Sequence, residues 1–150
     1  MRKAALLLSL AAACSHNTIP GTNVSDDPQT RAVLEVVSKY KIAMEAKDQA
    51  AILSLAAPTY YDPGDSQSGP VDYATLQKNL GKYFKNVNGV KLDLTVKDVQ
   101  VKGEEAHVDY FQVLHYAIAT ATGEQWKTES DDARMKLVKV SGEWKIQSKL

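Results

Sequence analysis

The sequence lacks the features that mark several large classes of protein. It contains one cysteine, Cys14, so no intramolecular disulfide can form. Its 18 basic and 18 acidic residues balance, and no basic patch favours a nucleic-acid partner. Its N-terminal apolar run is far shorter than the about 20 residues that a membrane-spanning helix requires. We therefore expect neither a disulfide framework, nor a nucleic-acid partner, nor a permanent transmembrane helix.

Common catalytic motifs are missing as well. The chain has no Gly-x-Ser-x-Gly elbow, no phosphate-binding loop and no dinucleotide-binding glycine pattern. Its histidines, cysteine and carboxylates do not fall at metal-ligand spacing. The adjacent residues Asp131 and Asp132 would point to opposite faces of a strand and make a poor joint ligand set. The sequence therefore predicts no metal site and no cofactor.

The N-terminus has the order of a secretory signal peptide. Basic residues 2 and 3 precede an apolar stretch at 4–10, and three alanines at 11–13 precede Cys14. The alanines and the cysteine resemble the lipobox of bacterial lipoproteins, with alanine where that family favours leucine. The resemblance implies a signal peptide at residues 1–13 and a lipid on Cys14, which would explain one unpaired thiol in an exported chain. Ordinary secretion, with Cys14 unmodified, is the alternative.

The lipobox resemblance also implies a location. Several acyl chains on Cys14 would hold the protein to a membrane of the bacterial cell envelope. Ser15 stands where an aspartate would signal inner-membrane retention in enterobacterial lipoproteins, so the outer membrane is favoured. Residues 14–29 are rich in small polar residues, glycine and proline, which predicts a flexible tether. Residues 30–150 remain as one domain, long enough to bury a core.

The first half of this domain has helical periodicity. A first helix is predicted over residues 30–46, with apolar residues three or four apart on one face: Val33, Val37, Tyr40 and Met44. Asp48 can cap a second helix over residues 49–55. Residues 62–70 carry two glycines and two prolines and form a loop. Asp72 can cap a third helix that ends near residue 88.

The second half changes to alternation, which is typical of strands. Four strands are expected, around residues 90–96, 108–118, 133–137 and 144–146, separated by glycine-containing turns at 102–104, 122–124 and 141–143. Short turns join consecutive strands as antiparallel hairpins. Helices followed by such a sheet make the fold class α+β.

The second strand is apolar on both faces, since His107, Phe111 and Val113 point opposite to Val108, Tyr110 and Leu114. An uncovered apolar face is typical of a partner surface, so a homodimer through the sheet is one interpretation. Partial cover of that face by the tether, or simple half exposure, is the other.

Residues 40–48, which end in Ala46, Lys47 and Asp48, and the turn at residues 61–64 resemble anchors of the nuclear transport factor 2-like superfamily. That superfamily includes SnoaL-like proteins and ketosteroid isomerases, and the order of elements over residues 30–150 is similar to it. The resemblance implies three N-terminal helices packed in the concave face of a curved, mainly antiparallel four-stranded sheet. It also implies a cone whose open end is a pocket.

The isomerases of this superfamily use an aspartate base, a tyrosine donor and a protonated acid donor. The resemblance puts Asp62 at the base and Tyr40 at the tyrosine, whereas Ala133 takes the place of the donor acid. Strand parity turns Tyr110 and Tyr116 toward the pocket and His115 outward. Tyr40, Asp62, Tyr110 and Tyr116 are therefore the candidate ligand-binding residues, and Asp62 and Tyr40 the candidate catalytic ones. The alternative interpretation is that Tyr40 is a core tyrosine and that Asp62 is a turn aspartate that caps local amides.

Two functional hypotheses follow. The first is a membrane-anchored envelope lipoprotein whose cone binds a small apolar or amphipathic ligand, or whose sheet binds a protein, without catalysis. The second is a SnoaL-like or ketosteroid-isomerase-like enzyme with Asp62 as general base. Because loss of one oxyanion donor commonly costs about a hundredfold in rate, Ala133 favours the first.

Overall fold

The computed structural model describes residues 18–20, 22–64 and 68–150. The signal peptide, Cys14 and the first residues of the tether lie outside the described residues, so these predictions stay predictions. Within the described part of the chain, no helix is both long enough and apolar enough to cross a membrane.

Three helices come first, and each begins at an aspartate. Their bounds are Pro28–Glu45 for α1, Gln49–Leu55 for α2 and Tyr73–Asn86 for α3. The Asp27 carboxylate accepts from the backbone N–H of Thr30 at 2.9 Å, and Asp48 and Asp72 likewise accept from the N–H three residues ahead. Such caps satisfy amides that a first helical turn leaves unpaired. α1 thus begins two residues earlier than predicted because Asp27 caps it.

The strands form a short ladder and one larger sheet. β1 (Tyr61–Asp62) pairs antiparallel with β2 (Val71–Asp72) and closes the loop before α3. The larger sheet has the order β3-β4-β5-β6, all antiparallel, with bounds Gly89–Lys102, Glu105–Thr120, Gly123–Val140 and Glu143–Ser148. This confirms the predicted α+β class with a mainly antiparallel four-stranded sheet.

The core lies between the helices and the concave face of the sheet. Val33 of α1 and Ile52 of α2 are fully buried, as are Val108, Leu137 and Ile146 of the sheet, and all five belong to one cluster. Because successive side chains of a strand point to opposite faces of the sheet, every second residue faces the helices, and these residues are the apolar ones. The predicted packing of three helices in the concave face is confirmed.

The folded unit extends to the N-terminal side of Thr30. Val24 is 1% exposed and belongs to the core cluster, with Ile19 packed against it. The backbone N–H of Ile19 donates to the Val24 carbonyl at 2.9 Å. The described part of the predicted tether is therefore packed on the domain rather than extended from it.

β5 is longer than the predicted third strand, which began at Ala133. It starts at Gly123, and residues 123–132 are all exposed. Neither face of this segment is covered by a helix of the described residues, so it carries no apolar alternation that sequence reading could detect. Its conformation comes from pairing with β4, which continues to Thr120.

The convex face of the sheet is dominated by charged pairs. A bulge between Val96 and Asp98 interrupts β3, and the ammonium of Lys97 lies 5.7 Å from the centre of the Phe111 ring. Lys97 also pairs with Asp132, and Arg134 bonds the Asp109 carboxylate at 2.5 and 2.7 Å. Phe111 and Val113 are half-buried. The expected apolar face is thus shielded by ionic side chains, and the homodimer stays a prediction.

Candidate functional site

A cavity of about 180 Å³ lies where the helices, the β1–β2 ladder and the last residues meet. α3 contributes one wall, and β1 and β2 contribute another. The lining combines apolar side chains with a few polar groups: Tyr60, Asp62, Val71, Leu76, Asn79, Leu80, Tyr83 and Leu150. This mixture is typical of small-molecule sites, in which a few polar groups orient a mainly apolar ligand.

Asp62 supplies the carboxylate of the cavity and is 8% exposed. Its Oδ1 accepts from the backbone N–H of Gly64 at 2.9 Å, in a turn where Gly64 has a φ of 72° that favours glycine. Its Oδ2 accepts from the backbone N–H of Lys149 at 3.2 Å, and the Lys149 ammonium lies 3.5 Å from Oδ1. Both carboxylate oxygens are therefore held by neighbouring donors.

Buried tyrosines surround this carboxylate. The Tyr60 hydroxyl accepts from the backbone N–H of Leu150 at 3.1 Å, and the Tyr110 hydroxyl donates to the Lys149 carbonyl at 3.5 Å. Burial, with Tyr60, Asp131 and Asp62 nearby, raises the pKa of Tyr110 to about 12. Burial also raises the pKa values of Tyr60 and Tyr40. These hydroxyls stay protonated at neutral pH and can serve as hydrogen-bonding groups.

Tyr83 of α3 contributes its side chain to the wall of the cavity. Its hydroxyl is buried and makes no hydrogen bond within the described residues, and burial raises its pKa. Its ring meets that of Tyr116 edge-on, with centroids 6.2 Å apart. An unsatisfied buried hydroxyl costs about 1–3 kcal/mol, so Tyr83 is a point at which the wall of the cavity is not fully stabilised.

Sequence comparison finds no family model and no curated protein that matches the chain. Solved structures do match. A proposed dehydratase of the nuclear transport factor 2-like family from Streptomyces avermitilis superposes with a TM-score of 0.66 over 78% of this chain and 90% of that chain, at 16% identity. A nuclear transport factor 2-like superfamily protein from Salmonella enterica gives 0.67 over 78% and 84%, at 14% identity. The chain has the nuclear transport factor 2-like fold.

A third relative of this fold is a proposed scytalone dehydratase from Novosphingobium aromaticivorans, with a TM-score of 0.65 over 79% of both chains at 15% identity. At such identities the likeness shows the nuclear transport factor 2-like fold alone. The helices and the sheet have the same arrangement in these proteins, and the chemistry of this chain must be argued from its own residues.

Within the nuclear transport factor 2-like fold, the structure brings together only some of the predicted site residues. Asp62 lines the cavity. Tyr40 and Tyr110 do not line the cavity but are buried with Tyr60 in the core cluster. Tyr116 does not line the cavity, and its hydroxyl donates to Glu129 at 2.7 Å.

Of the eight residues that line the cavity, sequence reasoning proposed only Asp62 as a site residue, and it missed three polar ones: Tyr60, Asn79 and Tyr83. Tyr60 and Tyr61 are adjacent tyrosines before the turn aspartate, and the sequence does not show which of them faces the core. In the structure Tyr60 is buried and Tyr61 is exposed. Tyr83 lies seven residues after Leu76 and so shares its helix face, a signal that was available. Asn79 carried no signal, because it lies beside that apolar face.

The strand register agrees with the prediction that Ala133 stands where the isomerases have a donor acid. Ala133 pairs with Tyr110, so it faces the cone interior. Asp132 pairs with Phe111 on the opposite face, and Asp131 pairs with Gln112 one step nearer the tip of the sheet. No bulge interrupts this pairing, so neither aspartate replaces the acid. Among the described residues, no group of three His, Cys, Asp or Glu side chains could hold a metal ion.

Proposed function

We propose that this protein is a non-catalytic binding module of the bacterial cell envelope that takes a small, mainly apolar ligand into the cavity beside Asp62. The single observation that carries the proposal is a largely apolar cavity with the Asp62 carboxylate and two tyrosine side chains in its lining. A ligand with one hydrogen-bonding group and an apolar body would fit that lining.

The state of Asp62 supports a binding role over general-base catalysis. A general base needs an oxygen within reach of the proton that it removes. Here Gly64 and Lys149 each donate to one carboxylate oxygen, so part of the acceptor capacity of Asp62 is already used within the fold. Ala133 in place of a donor acid removes a second part of the isomerase set.

The second candidate is an enzyme with Asp62 as general base. It is favoured by the position of Asp62 in the cavity and by the proposed dehydratases among the structures of the same fold. In this case Lys149 would have to move away before each turnover, and Tyr60 or Tyr110 would serve as donor.

The envelope part of the proposal rests on the N-terminal sequence. Basic residues, an apolar run and alanines before Cys14 are the features of a lipoprotein signal. A lipid on Cys14 would place the cavity at a membrane face, where apolar and amphipathic small molecules concentrate.

The binding role is tested by filling the cavity. Val71→Trp would put a large ring into the space that Val71 now lines, whereas Ile42→Trp changes a residue that is 63% exposed on α1. Native mass spectrometry of the purified proteins, after incubation with a mixture of small apolar alcohols and ketones, should find adducts on the parent and on Ile42→Trp. Adducts that persist unchanged on Val71→Trp would contradict the proposal.

The enzyme candidate is tested by proton exchange. Deuterium uptake by an enolisable ketone, followed by NMR, should proceed at the same slow rate with the parent and with Asp62→Asn. A rate at least about a hundredfold higher for the parent, the size expected for a working general base, would establish the enzyme in place of the binding module.

A further inference from the structure

The residues Lys149 and Leu150 occupy the polar end of the cavity. The backbone N–H of Lys149 donates to Asp62 Oδ2 at 3.2 Å, and its ammonium lies 3.5 Å from Oδ1. The carbonyl of Lys149 accepts from Tyr110 at 3.5 Å, and the N–H of Leu150 donates to Tyr60 at 3.1 Å. Asp62, Tyr60 and Tyr110 thus all bond the same two-residue segment.

The same segment supplies an apolar group. Leu150 lines the cavity beside Leu76 and Leu80 and packs against the core cluster. Together the segment presents a cation, N–H donors, a carbonyl acceptor and a branched aliphatic side chain. A small amphipathic amine has all of these groups except the carbonyl.

Two observations indicate that the segment is displaceable. Lys149 has a φ of 66°, in the left-handed region that is unfavourable for a residue with a β-carbon. Its side chain is 45% exposed, so its ion pair with Asp62 is screened by water. The hydrogen bonds of the segment must therefore offset the conformational free energy that the positive φ of Lys149 costs.

The size of the cavity agrees with this view. At about 180 Å³ it is smaller than the roughly 300–1,000 Å³ of typical ligand pockets. Because Leu150 forms part of the wall, withdrawal of this residue would enlarge the space and expose the Asp62 carboxylate and the Tyr60 hydroxyl together.

We propose that Lys149 and Leu150 act as an internal stand-in for the ligand, and that the ligand is a compact amphipathic amine whose cationic nitrogen meets Asp62 and whose branched aliphatic group replaces Leu150. This inference rests on the proposed function, since it assigns a ligand class to the same cavity. The segment and the ligand compete, so any change that releases the segment strengthens ligand binding.

The test compares two substitutions at one position. Lys149→Pro removes the N–H that Asp62 accepts and cannot adopt a positive φ, so it releases the segment. Lys149→Gly keeps the N–H and favours the positive φ, so it retains the segment and loses only the ammonium. The probes are 3-methylbutylamine, 3-methylbutanol and 3-methylbutanoate, which share one apolar group and differ in charge, and binding is measured by isothermal titration calorimetry.

The amine should bind Lys149→Pro about tenfold more tightly than the parent, the size of one charge-assisted hydrogen bond regained at Asp62. Lys149→Gly should gain less than about threefold, and 3-methylbutanoate should gain nothing with either variant. Asp62→Asn in the Lys149→Pro background should remove the preference for the amine over the alcohol. A thermal melt checks folding, and Leu150→Ala, which weakens the same segment without touching the backbone, serves if Lys149→Pro melts early.

Equal amine affinities for the parent and Lys149→Pro would overturn the inference. An equal gain for amine, alcohol and carboxylate would overturn the ligand class and leave the proposed binding function standing. Failure of all three probes on both Lys149→Pro and Leu150→Ala would overturn the inference, and the mixture used with Val71→Trp decides the proposed function separately.

Discussion

At the scale of single residues, Tyr110 links the site to the stability of the domain. Its side chain is 3% exposed, and burial raises its pKa from 10.0 to about 12. Because the unfolded chain loses this proton first, the stabilisation is complete below pH 10 and is lost as the pH rises toward 12. At about 1.4 kcal/mol per pKa unit the contribution is of order 2–3 kcal/mol.

We therefore expect the free energy of unfolding to fall between pH 10 and pH 12, and to fall less steeply in Tyr110→Phe. Urea unfolding at pH 8, 10 and 11.5, followed by circular dichroism, measures both slopes. The parent and the variant share their lysines and arginines, so the difference in slope reports Tyr110. Parallel curves would show that this hydroxyl ionises in the folded state as readily as in the unfolded one.

At the scale of elements, the start of α1 depends on a cap rather than on the apolar stripe that predicted the helix. Asp27 Oδ1 accepts from two backbone amides, those of Gln29 and Thr30, each at 2.9 Å. Asp27→Ala should lower the free energy of unfolding by about 0.5–2 kcal/mol. The exposed neighbour Gln29→Ala keeps both amides and should stay within about 0.5 kcal/mol of the parent. Urea unfolding at pH 7 measures both free energies. Equal losses in the two variants would show that the Asp27 cap does not stabilise α1.

The pKa of Asp27 gives this cap a pH dependence. Hydrogen bonds from the backbone and hydroxyl of Thr30 hold the pKa of Asp27 below the usual aspartate value of 3.8. The stabilisation is therefore present above pH 3.8 and is lost as the pH falls through the lowered value. The difference between the parent and Asp27→Ala should shrink when the urea series is repeated at pH 2.5.

The outer half of β5 makes a different prediction, because no strand among the described residues pairs with one of its edges. The Lys139 N–H donates to the Glu104 carbonyl, and the register with β4 runs without a shift from Val138 back to Gly123. Odd-numbered amides of β5 therefore face β4 and even-numbered ones face outward, while β6 covers only the segment from Lys136 onward.

Amide exchange in NMR should alternate along this strand. The amides of residues 127, 129 and 131 should be protected, and those of 128, 130 and 132 should exchange at least about tenfold faster, because partnerless strand-edge amides stay in contact with water. Uniform protection along 127–132 would mean that another chain covers the edge.

These elements also show what could be predicted from the sequence. Helix caps at Asp48 and Asp72 and the stripe of α1 are local signals, set by residues three or four apart, and they were read correctly. The outer half of β5 was missed because a strand covered on neither face has no reason to alternate. The start of α1 was missed because the stripe begins later than the cap.

At the scale of the whole molecule, the site was harder to predict than the fold. Asp62 was found from its turn, but the groups that hold it come from Lys149, which is 87 residues away in the chain. No local pattern encodes that contact. Tyr116 was expected in the pocket from parity alone, and parity fixes the face of a strand without fixing how far along it the cavity extends.

At this scale, a lipid on Cys14 would determine whether the domain is anchored to a membrane. If the lipobox is functional, the intact mature protein from a bacterial host should begin at Cys14 and carry the mass of its acyl chains, and Cys14→Ala should lose both that mass and the membrane fraction. Ser15→Ala, which leaves the cysteine in place, should behave as the parent. Since a single acyl chain gives only an association constant of about 10⁴ M⁻¹, stable recovery in the detergent phase requires more than one chain. A free Cys14 thiol on a secreted mature chain would instead establish ordinary export, and the cavity would then meet its ligand in solution.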